Sequence, residues 1–221
     1  MVFVIAEAGI NHNGNIEDAK KLVDAAVWAG ADAVKFQTFW SISRLESFEL
    51  SEEEWYELKR YCDSSEIMFM STPHTFPAIH FLDELVSIYK IPSTYLGVPN
   101  FIMEVASKNK PVLLSTGNIN RDDGMATDEE IANALKYVNN RSTVTLMHCV
   151  SKYPCSDPHY ERIDDLRPLC MNVGLSDHSN NIVVPRNIDV LEKHIMLEDS
   201  VCPDMEVSLT PEEFKEMVKT L

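Results

Sequence analysis

The sequence predicts a compact (β/α)8 barrel, an α/β TIM barrel with shortened loops that spans residues 1–221 as a single domain. Eight short apolar runs recur along the chain, amphipathic stretches lie between them, and no linker or low-complexity segment interrupts the pattern. Continuous apolar runs suit strands that are buried on both faces, as in parallel sheets. Eight such alternations in a chain of 221 residues favour a barrel over a doubly wound sheet.

The predicted strands are the apolar runs, each of which ends in polar or small residues. They cover residues 2–9, 33–39, 67–73, 88–93, 111–117, 144–150, 171–177 and 190–197. In barrels of this kind the functional side chains come from the carboxyl ends of the strands. The polar residues at those ends are therefore the candidates for chemistry.

Four helices are predicted from amphipathic spacing and capping signals. Residues 16–30 carry an apolar stripe at i, i+3, i+4 and i+7, formed by Ala19, Leu22, Val23 and Ala26. The helices near 50–62, 127–138 and 209–221 each open on a capping box, with Ser51 and Glu54, Thr127 and Glu130, and Thr210 and Glu213. The segment 179–189 is a weak helix candidate, because it is short and Pro185 would interrupt it.

Composition and charge argue against several classes of function. The formal net charge of −16 is unsuited to general binding of nucleic acid or of an anionic membrane surface. The five cysteines are odd in number and form no CxxC pair, as expected of a reduced, cytoplasmic protein. The first residues lack a basic segment, so no signal peptide is predicted. No apolar run approaches the roughly 20 residues of a membrane span, so no membrane partner is expected.

Two lysines lie within apolar runs, where an unpaired charge would be costly to bury. They are Lys35 and Lys90, and either one alone could simply pair with a carboxylate or extend to solvent. Together they predict a phosphate-binding cradle, completed by the hydroxyl groups of Ser93, Ser115 and Ser176. Glu7 is a candidate base or metal-proximal carboxylate, and an ion pair with one of the lysines is compatible with that role.

Two histidines end neighbouring strands of the predicted barrel. Because adjacent strands lie roughly 5 Å apart, His178 and His194 could share one metal ion with open coordination sites. Asp177 and Glu192 would then orient the imidazoles. The alternative is that each histidine is a hydrogen-bonded structural residue. Cys149 is interpreted as a small buried hydrophobic residue with no histidine partner.

Several sequence blocks resemble one enzyme family over almost the whole chain. They are "IAEAGINHNG", "AGADAVKFQTF", "STP", "YKIPS", "LLSTG", "HCVSKYP", "GLSDH" and "LEKHIML" followed by "SLTPEEFK", running in order from Val4 to Leu221. Together they resemble the sialic acid synthases, which are the N-acetylneuraminate synthases and their legionaminic and pseudaminic acid relatives. The resemblance implies a barrel enzyme that condenses phosphoenolpyruvate with an N-acetylated hexose, or another aldose. The products would be a 2-keto sugar acid, such as a sialic acid, and phosphate.

The resemblance also assigns roles position by position. It implies a divalent cofactor, Mn²⁺ or Mg²⁺, on the metal ligands His178 and His194, with Glu7 handling a proton or water. The phosphoenolpyruvate-binding positions would be Lys35, Lys90, Ser93, Ser115, Ser151 and Ser176. The sugar-binding positions would be Gln37, Thr72, Tyr153 and Asp204.

Departures from the family pattern keep other interpretations open. The family usually has a carboxylate where this chain has Tyr95, and a family member can carry asparagine in place of Ser151. The loop after the second strand is short, and the family's C-terminal antifreeze-like domain has no counterpart in residues 1–221. A homodimer or a separate antifreeze-like capping protein is therefore a candidate partner. The alternatives are a related 3-deoxy-sugar-acid synthase or aldolase, and a degenerate barrel that serves as a binding or assembly module.

Overall fold

The computed structural model describes residues 1–40, 43–138 and 143–221. Within these ranges eight parallel strands form one sheet with the hydrogen-bonded order β3-β2-β1-β8-β7-β6-β5-β4. The strands are β1 (Phe3–Gly9), β2 (Ala33–Thr38), β3 (Met68–Pro73), β4 (Tyr89–Ile91), β5 (Val112–Ser115), β6 (Val144–Cys149), β7 (Asn172–Asp177) and β8 (Val190–His194). Each strand falls inside one predicted apolar run, so the predicted barrel is confirmed.

Helices follow most of the strands and cover the outside of the sheet. They are α1 (Ile16–Ala29), α2 (Glu52–Ser64), α3 (Phe76–Leu82), α4 (Pro99–Ala106), α5 (Asp128–Ala134), α6 (Arg162–Leu166) and α7 (Pro211–Lys219). The four helices predicted from the sequence are confirmed as α1, α2, α5 and α7, and α5 continues into a 3-10 turn at Leu135–Tyr137. Residues 178–189, all of them described, contain no helix, which agrees with the weak signal there.

The predicted helix starts have the expected geometry. At α2, α5 and α7 the hydroxyl N-cap accepts a hydrogen bond from the backbone of the third helical residue, and the glutamate at that position returns the bond. None of the helices in the described residues is long and apolar enough to span a lipid bilayer.

The interior of the barrel changes from apolar to polar along every strand. The lower layer is a small apolar cluster of Ile5, Ala33, Met70, Leu113, Met147 and Val190. Side chains alternate across a strand with period two, so the next inward position lies two residues later. Those later positions are polar on five of these strands and a cysteine on the sixth, and they are Glu7, Lys35, Thr72, Ser115, Glu192 and Cys149. A cavity with polar walls therefore rests on an apolar floor at the carboxyl ends of the strands.

One joint of the barrel is closed by side chains. The strands β3 and β4 stand at the two ends of the hydrogen-bonded order, and no strand pairing joins them in the described residues. The Tyr95 hydroxyl, which follows β4, donates a hydrogen bond to the carbonyl oxygen of His74, which follows β3. The Tyr95 ring stacks on Phe101 of α4, with ring centroids 3.8 Å apart. Tyr95 therefore links the two free edges, and we call this joint the β3–β4 seam.

Candidate active site

The carboxyl ends of the strands surround a cavity of about 240 Å³. Every site residue predicted from the sequence lines it: Glu7, Lys35, Gln37, Thr72, Lys90, Ser93, Ser115, Ser151, Tyr153, Ser176, His178, His194 and Asp204. The fold brings these residues together because each follows the apolar part of a strand by an even number of positions or lies in the loop after it. Their chemical roles remain predictions.

Four buried charged groups form an alternating chain across the cavity. The Lys35 ammonium lies 2.7 Å from the Glu7 carboxylate and 3.6 Å from that of Glu192. Lys90 donates to both oxygens of Glu192, at 2.7 and 2.8 Å. All four residues are less than 5 % exposed. Since two positive and two negative groups alternate, each buried charge has a counter-charge within contact distance, as such burial requires.

The pKa values of the two carboxyl groups in this chain of charges shift in opposite directions. Burial raises the pKa of Glu7 to about 7, although the neighbouring Lys35 partly offsets this effect. Burial acts in the same sense on Glu192, but Lys35 and Lys90 outweigh it and hold the pKa of this carboxyl below its ordinary value. Glu192 is therefore ionised, whereas Glu7 can hold or release a proton near neutral pH. Two carboxyl groups with separated pKa values are typical of acid–base sites.

Serine hydroxyls and one glycine surround the lysines. Ser176 donates to Glu192 at 2.8 Å, and Ser115 is buried at the end of β5. A Cβ atom at Gly117 would lie 2.2 Å from the Ser151 hydroxyl and 2.7 Å from the Ser93 hydroxyl, so these two groups converge on the bare backbone. The arrangement is a concave, hydroxyl-lined cradle beside two ammonium groups, which suits a phosphate group.

The two histidines lie side by side at the end of the β7–β8 pair. Asp177 of β7 pairs with Lys193 of β8, so the next residues, His178 and His194, lie at the same height. Their ring centroids are 5.6 Å apart. The predicted convergence of the imidazoles is therefore confirmed. His178 donates from Nδ1 to the Val150 carbonyl at 2.9 Å, which leaves Nε2 to accept from the Tyr153 hydroxyl at 2.9 Å.

Asp177 and Glu192, which were predicted to orient these imidazoles, pair with lysines instead. Glu192 pairs with the two lysines, and Asp177 pairs with Lys193 at 3.0 Å. Both expectations were wrong, because Asp177 points to the outer side of the barrel wall and Glu192 reaches across the interior. The tautomer of His178 is fixed instead by the backbone carbonyl of Val150.

The histidine pair suits a divalent cation that takes its other ligands from water or substrate. Nδ1 of His194 is buried without a hydrogen-bond partner and lies 3.5 Å from the Asp204 carboxylate. Burial, together with His178, lowers the pKa of His194, which keeps the imidazole in the neutral form that binds metals. No group of three or more histidine, cysteine or acidic side chains in the described residues is arranged as a ready metal site. A cation here would therefore rest on two imidazoles.

Cys149 needs a different interpretation from that given by the sequence. It is buried, as expected, but it lines the cavity, with Sγ 3.9 Å from His178 Nδ1 and 3.6 Å from the Ser93 hydroxyl. The expectation of a cysteine without a histidine neighbour was wrong, because β6 and β7 pair in a register that sets Cys149 beside Ser176.

The positions predicted to bind the sugar are held by hydrogen bonds within the cavity wall. Gln37 donates to Glu7 at 2.9 Å, and Thr72 accepts from Lys35 at 2.7 Å. Asn11 accepts from the backbone of Asp204 at 3.1 Å and so holds the loop that carries this carboxylate. Sequence reasoning gave no binding or catalytic role to several lining residues, which are Ile10, His74, Pro92, Thr94, Ile119, Cys149 and Glu192. A period-two reading of the inward positions would have found Cys149 and Glu192.

Comparisons with known proteins agree with this geometry. A family model described as "NeuB family" matches residues 40–221. The chain is 39% identical over 241 residues to an uncharacterised protein of Methanocaldococcus jannaschii, covering 99% of this chain and 69% of that protein. It is 36% identical over 259 residues to the N,N'-diacetyllegionaminic acid synthase of Legionella pneumophila, covering 99% and 71%. The crystal structure of N-acetylneuraminic acid synthetase from Leptospira borgpetersenii superposes with a TM-score of 0.89 at 29% identity, covering 99% of this chain and 82% of that one.

Proposed function

Because this chain belongs to the NeuB family, we propose that it condenses phosphoenolpyruvate with an aldose, giving a 2-keto sugar acid and phosphate. Curated relatives are named as synthases of diacetyllegionaminic acid and pseudaminic acid. We therefore propose an N-acetylated hexose as the acceptor substrate. The observation that carries the proposal is the alternating chain of Glu7, Lys35, Glu192 and Lys90, which lies beside the imidazoles of His178 and His194 in one cavity.

The anionic substrate would occupy the lysine and serine side of the cavity. Lys35 and Lys90 supply positive charge, and the hydroxyls of Ser93 and Ser151 converge on Gly117. Ammonium groups and hydroxyl donors bind phosphate oxygens well. Their carboxylate partners, Glu7 and Glu192, hold the two ammonium groups in place in the absence of substrate, so an anion enters a site that is already organised.

The reaction forms one carbon–carbon bond and breaks one carbon–oxygen bond. Carbon 3 of phosphoenolpyruvate attacks the aldehyde carbon of the open-chain aldose, and the aldehyde oxygen gains a proton. Water adds at carbon 2 and loses a proton, and the tetrahedral intermediate then expels phosphate. With a pKa raised to about 7 by burial, Glu7 is the group we propose to take and return these protons.

A divalent cation, Mn²⁺ or Mg²⁺, is part of the proposal. His178 and His194 would hold it, since their ring centroids lie 5.6 Å apart and Nδ1 of His194 is buried without a hydrogen-bond partner. Such an ion supplies Lewis-acid polarisation of the aldehyde carbonyl. The Val150 carbonyl orients His178, and the Tyr153 hydroxyl would have to leave Nε2 for a cation to bind there.

The mouth of the cavity suggests a covering partner. Ile119 and Tyr153 line the cavity and are 68 % and 56 % exposed, which is unusual for large apolar side chains beside a reacting centre. We propose that a second copy of the chain, or a separate antifreeze-like protein, covers them. Light scattering gives the oligomeric state, and full activity of the monomeric barrel alone would refute the need for a cover.

The central test mixes the protein with phosphoenolpyruvate, Mn²⁺ or Mg²⁺ and a panel of aldoses. Product masses and phosphate release are measured together, because the two must appear in equal amounts. His178→Ala should lose metal binding in a calorimetric titration, whereas the exposed control His80→Ala should retain it.

Each outcome of this test separates the alternatives. A 2-keto acid and phosphate formed only with non-acetylated aldoses would indicate a related 3-deoxy-sugar-acid synthase. Binding of phosphoenolpyruvate without any product would indicate a binding module on the same barrel. The absence of both phosphoenolpyruvate binding and product would refute the proposal.

A further inference from the structure

His74 presents an imidazole to the cavity whose Nε2 atom is buried without a hydrogen-bond partner. The ring is held in place by stacking on Phe39, with centroids 4.2 Å apart and planes 19° from parallel. The backbone is fixed on both sides, since His74 N donates to the Thr38 carbonyl at 2.9 Å and its carbonyl accepts from the Tyr95 hydroxyl. A buried polar atom without a partner is costly, so a ligand group is expected to satisfy it.

His74 belongs to the outer layer of the cavity. It lies two residues after Thr72, so it is the next position on the same side of the strand toward the mouth. Thr72 itself accepts from Lys35, one of the lysines of the proposed anion cradle. If phosphoenolpyruvate occupies the cradle, a group one step nearer the mouth is placed to contact the acceptor.

The imidazole of His74 is neutral. Burial lowers its pKa to about 3, and the nearby Lys35 and Lys90 act in the same direction. A neutral imidazole has one N–H donor and one acceptor nitrogen, so its free nitrogen matches a hydroxyl group, which can both donate and accept. It offers no charge with which to hold a further phosphate or carboxylate.

The neighbouring Tyr95 holds the backbone of His74 from outside the cavity. Tyr95 is stacked on Phe101 and turned to the β3–β4 seam. Tyr95 is absent from the residues that line the cavity, and His74 is among them. The polar group on this part of the wall is therefore an imidazole whose backbone Tyr95 holds.

We propose that His74 is a specificity-determining contact of the acceptor, and that its Nε2 atom hydrogen-bonds to a hydroxyl group of the aldose. The inference rests on the proposed function, because it assigns a binding role within that reaction. It predicts that this chain selects its acceptor at this point through a neutral hydrogen bond. An acceptor that lacks the matching hydroxyl group should be used less well.

The test is steady-state kinetics of three variants with the acceptor found for the wild-type protein. His74→Phe keeps the ring and its stacking but loses both nitrogens, so the acceptor KM should rise about tenfold, as expected for a lost hydrogen bond. His74→Gln places an amide near the position of Nε2 and should restore most of the affinity. Tyr95→Phe removes the hydroxyl that holds the His74 backbone and should raise the acceptor KM about threefold.

The controls separate this inference from the proposed function. In all three variants the KM for phosphoenolpyruvate should stay close to the wild-type value. The melting temperature should stay close to that of the wild type in both His74 variants and should fall in Tyr95→Phe, which loses the hydrogen bond across the β3–β4 seam. An unchanged acceptor KM in His74→Phe, or an equal rise in both KM values, would overturn the role of His74 and leave the proposed reaction standing. Absence of product from the wild-type protein with every aldose would overturn both.

Discussion

Replacement of Glu192 by glutamine should weaken the fold and strengthen phosphate binding at the same time. The Glu192 carboxylate lies 2.7 Å from the Lys90 ammonium and 3.6 Å from that of Lys35. Those lysines hold the pKa of Glu192 below its ordinary value, so the substitution removes a full negative charge at any working pH. Glutamine keeps the shape and an oxygen that can still accept from Lys90 and Ser176.

The expected magnitudes follow from the burial of these groups. Removing one partner from a buried ion pair costs about 3–5 kcal/mol, and the loss here should lie near the lower figure because Glu7 still pairs with Lys35 at 2.7 Å. A bound phosphate would replace the missing negative charge. Two unit charges 4 Å apart attract by about 4 kcal/mol at an effective dielectric constant of 20. If a third of that survives desolvation of the anion, the affinity for phosphate rises about tenfold.

The assay is urea unfolding of wild type and Glu192→Gln at increasing concentrations of inorganic phosphate. The variant should start with a lower free energy of unfolding and recover more of it per decade of phosphate. Glu53→Gln, an exposed substitution on α2, is the matched control and should behave as wild type. Phosphate affinity that is equal to or weaker than that of the wild type would refute the view that Glu192 offsets the charge of the two lysines.

Three further changes test other parts of the structure. Burial lowers the pKa of His12 from 6.5 to about 4. The folded state therefore loses about 3 kcal/mol of stability as the pH falls from 6.5 toward 4, because the unfolded chain takes up a proton that the buried imidazole does not. In urea titrations between pH 7 and pH 4, the wild type should lose that much more free energy of unfolding than His12→Gln. A Cβ atom in Gly117→Ala would meet the side-chain ends of Ser151, Ser93 and Cys149, so the two hydroxyls would have to turn away. Calorimetry should then show at least about tenfold weaker phosphate binding. Unchanged binding would show that phosphate does not lie there. Lys193→Met alone leaves the buried Asp177 carboxylate without its counter-charge and should cost about 3 kcal/mol, near the lower end for a broken buried pair, because Tyr160 and Ser179 still donate to it. Adding Asp177→Asn should recover most of that loss in the same unfolding assay.

The strands and the position of the site could be predicted because both depend on local pattern. Apolar runs with polar ends marked all eight strands, and capping boxes marked the starts of α2, α5 and α7. The short helices α3, α4 and α6, of five to eight residues, have too few turns to produce a clear amphipathic signal.

The partners of the charged groups could not be predicted, because they depend on distances across the barrel. Glu192 on β8 pairs with Lys90 on β4, and these strands are four positions apart in the hydrogen-bonded order. Nothing local distinguishes this pairing from one with the adjacent histidines. The direction of Tyr95 was likewise hidden, since it depends on stacking with Phe101 and on a carbonyl at the end of another strand.

The β3–β4 seam divides the residues that line the cavity into two groups. Lys35, Thr72 and His74 stand on one side of the seam, and Lys90 and Ser93 stand on the other. The backbone amides on the facing edges of β3 and β4 have no ladder partner in the described residues and should exchange with deuterium faster than those of the paired strands. A substrate that touches both sides would bridge the gap, so occupancy of the site should be readable as slowed exchange along these two strands. Substrate binding would in this way complete the circumference of the barrel.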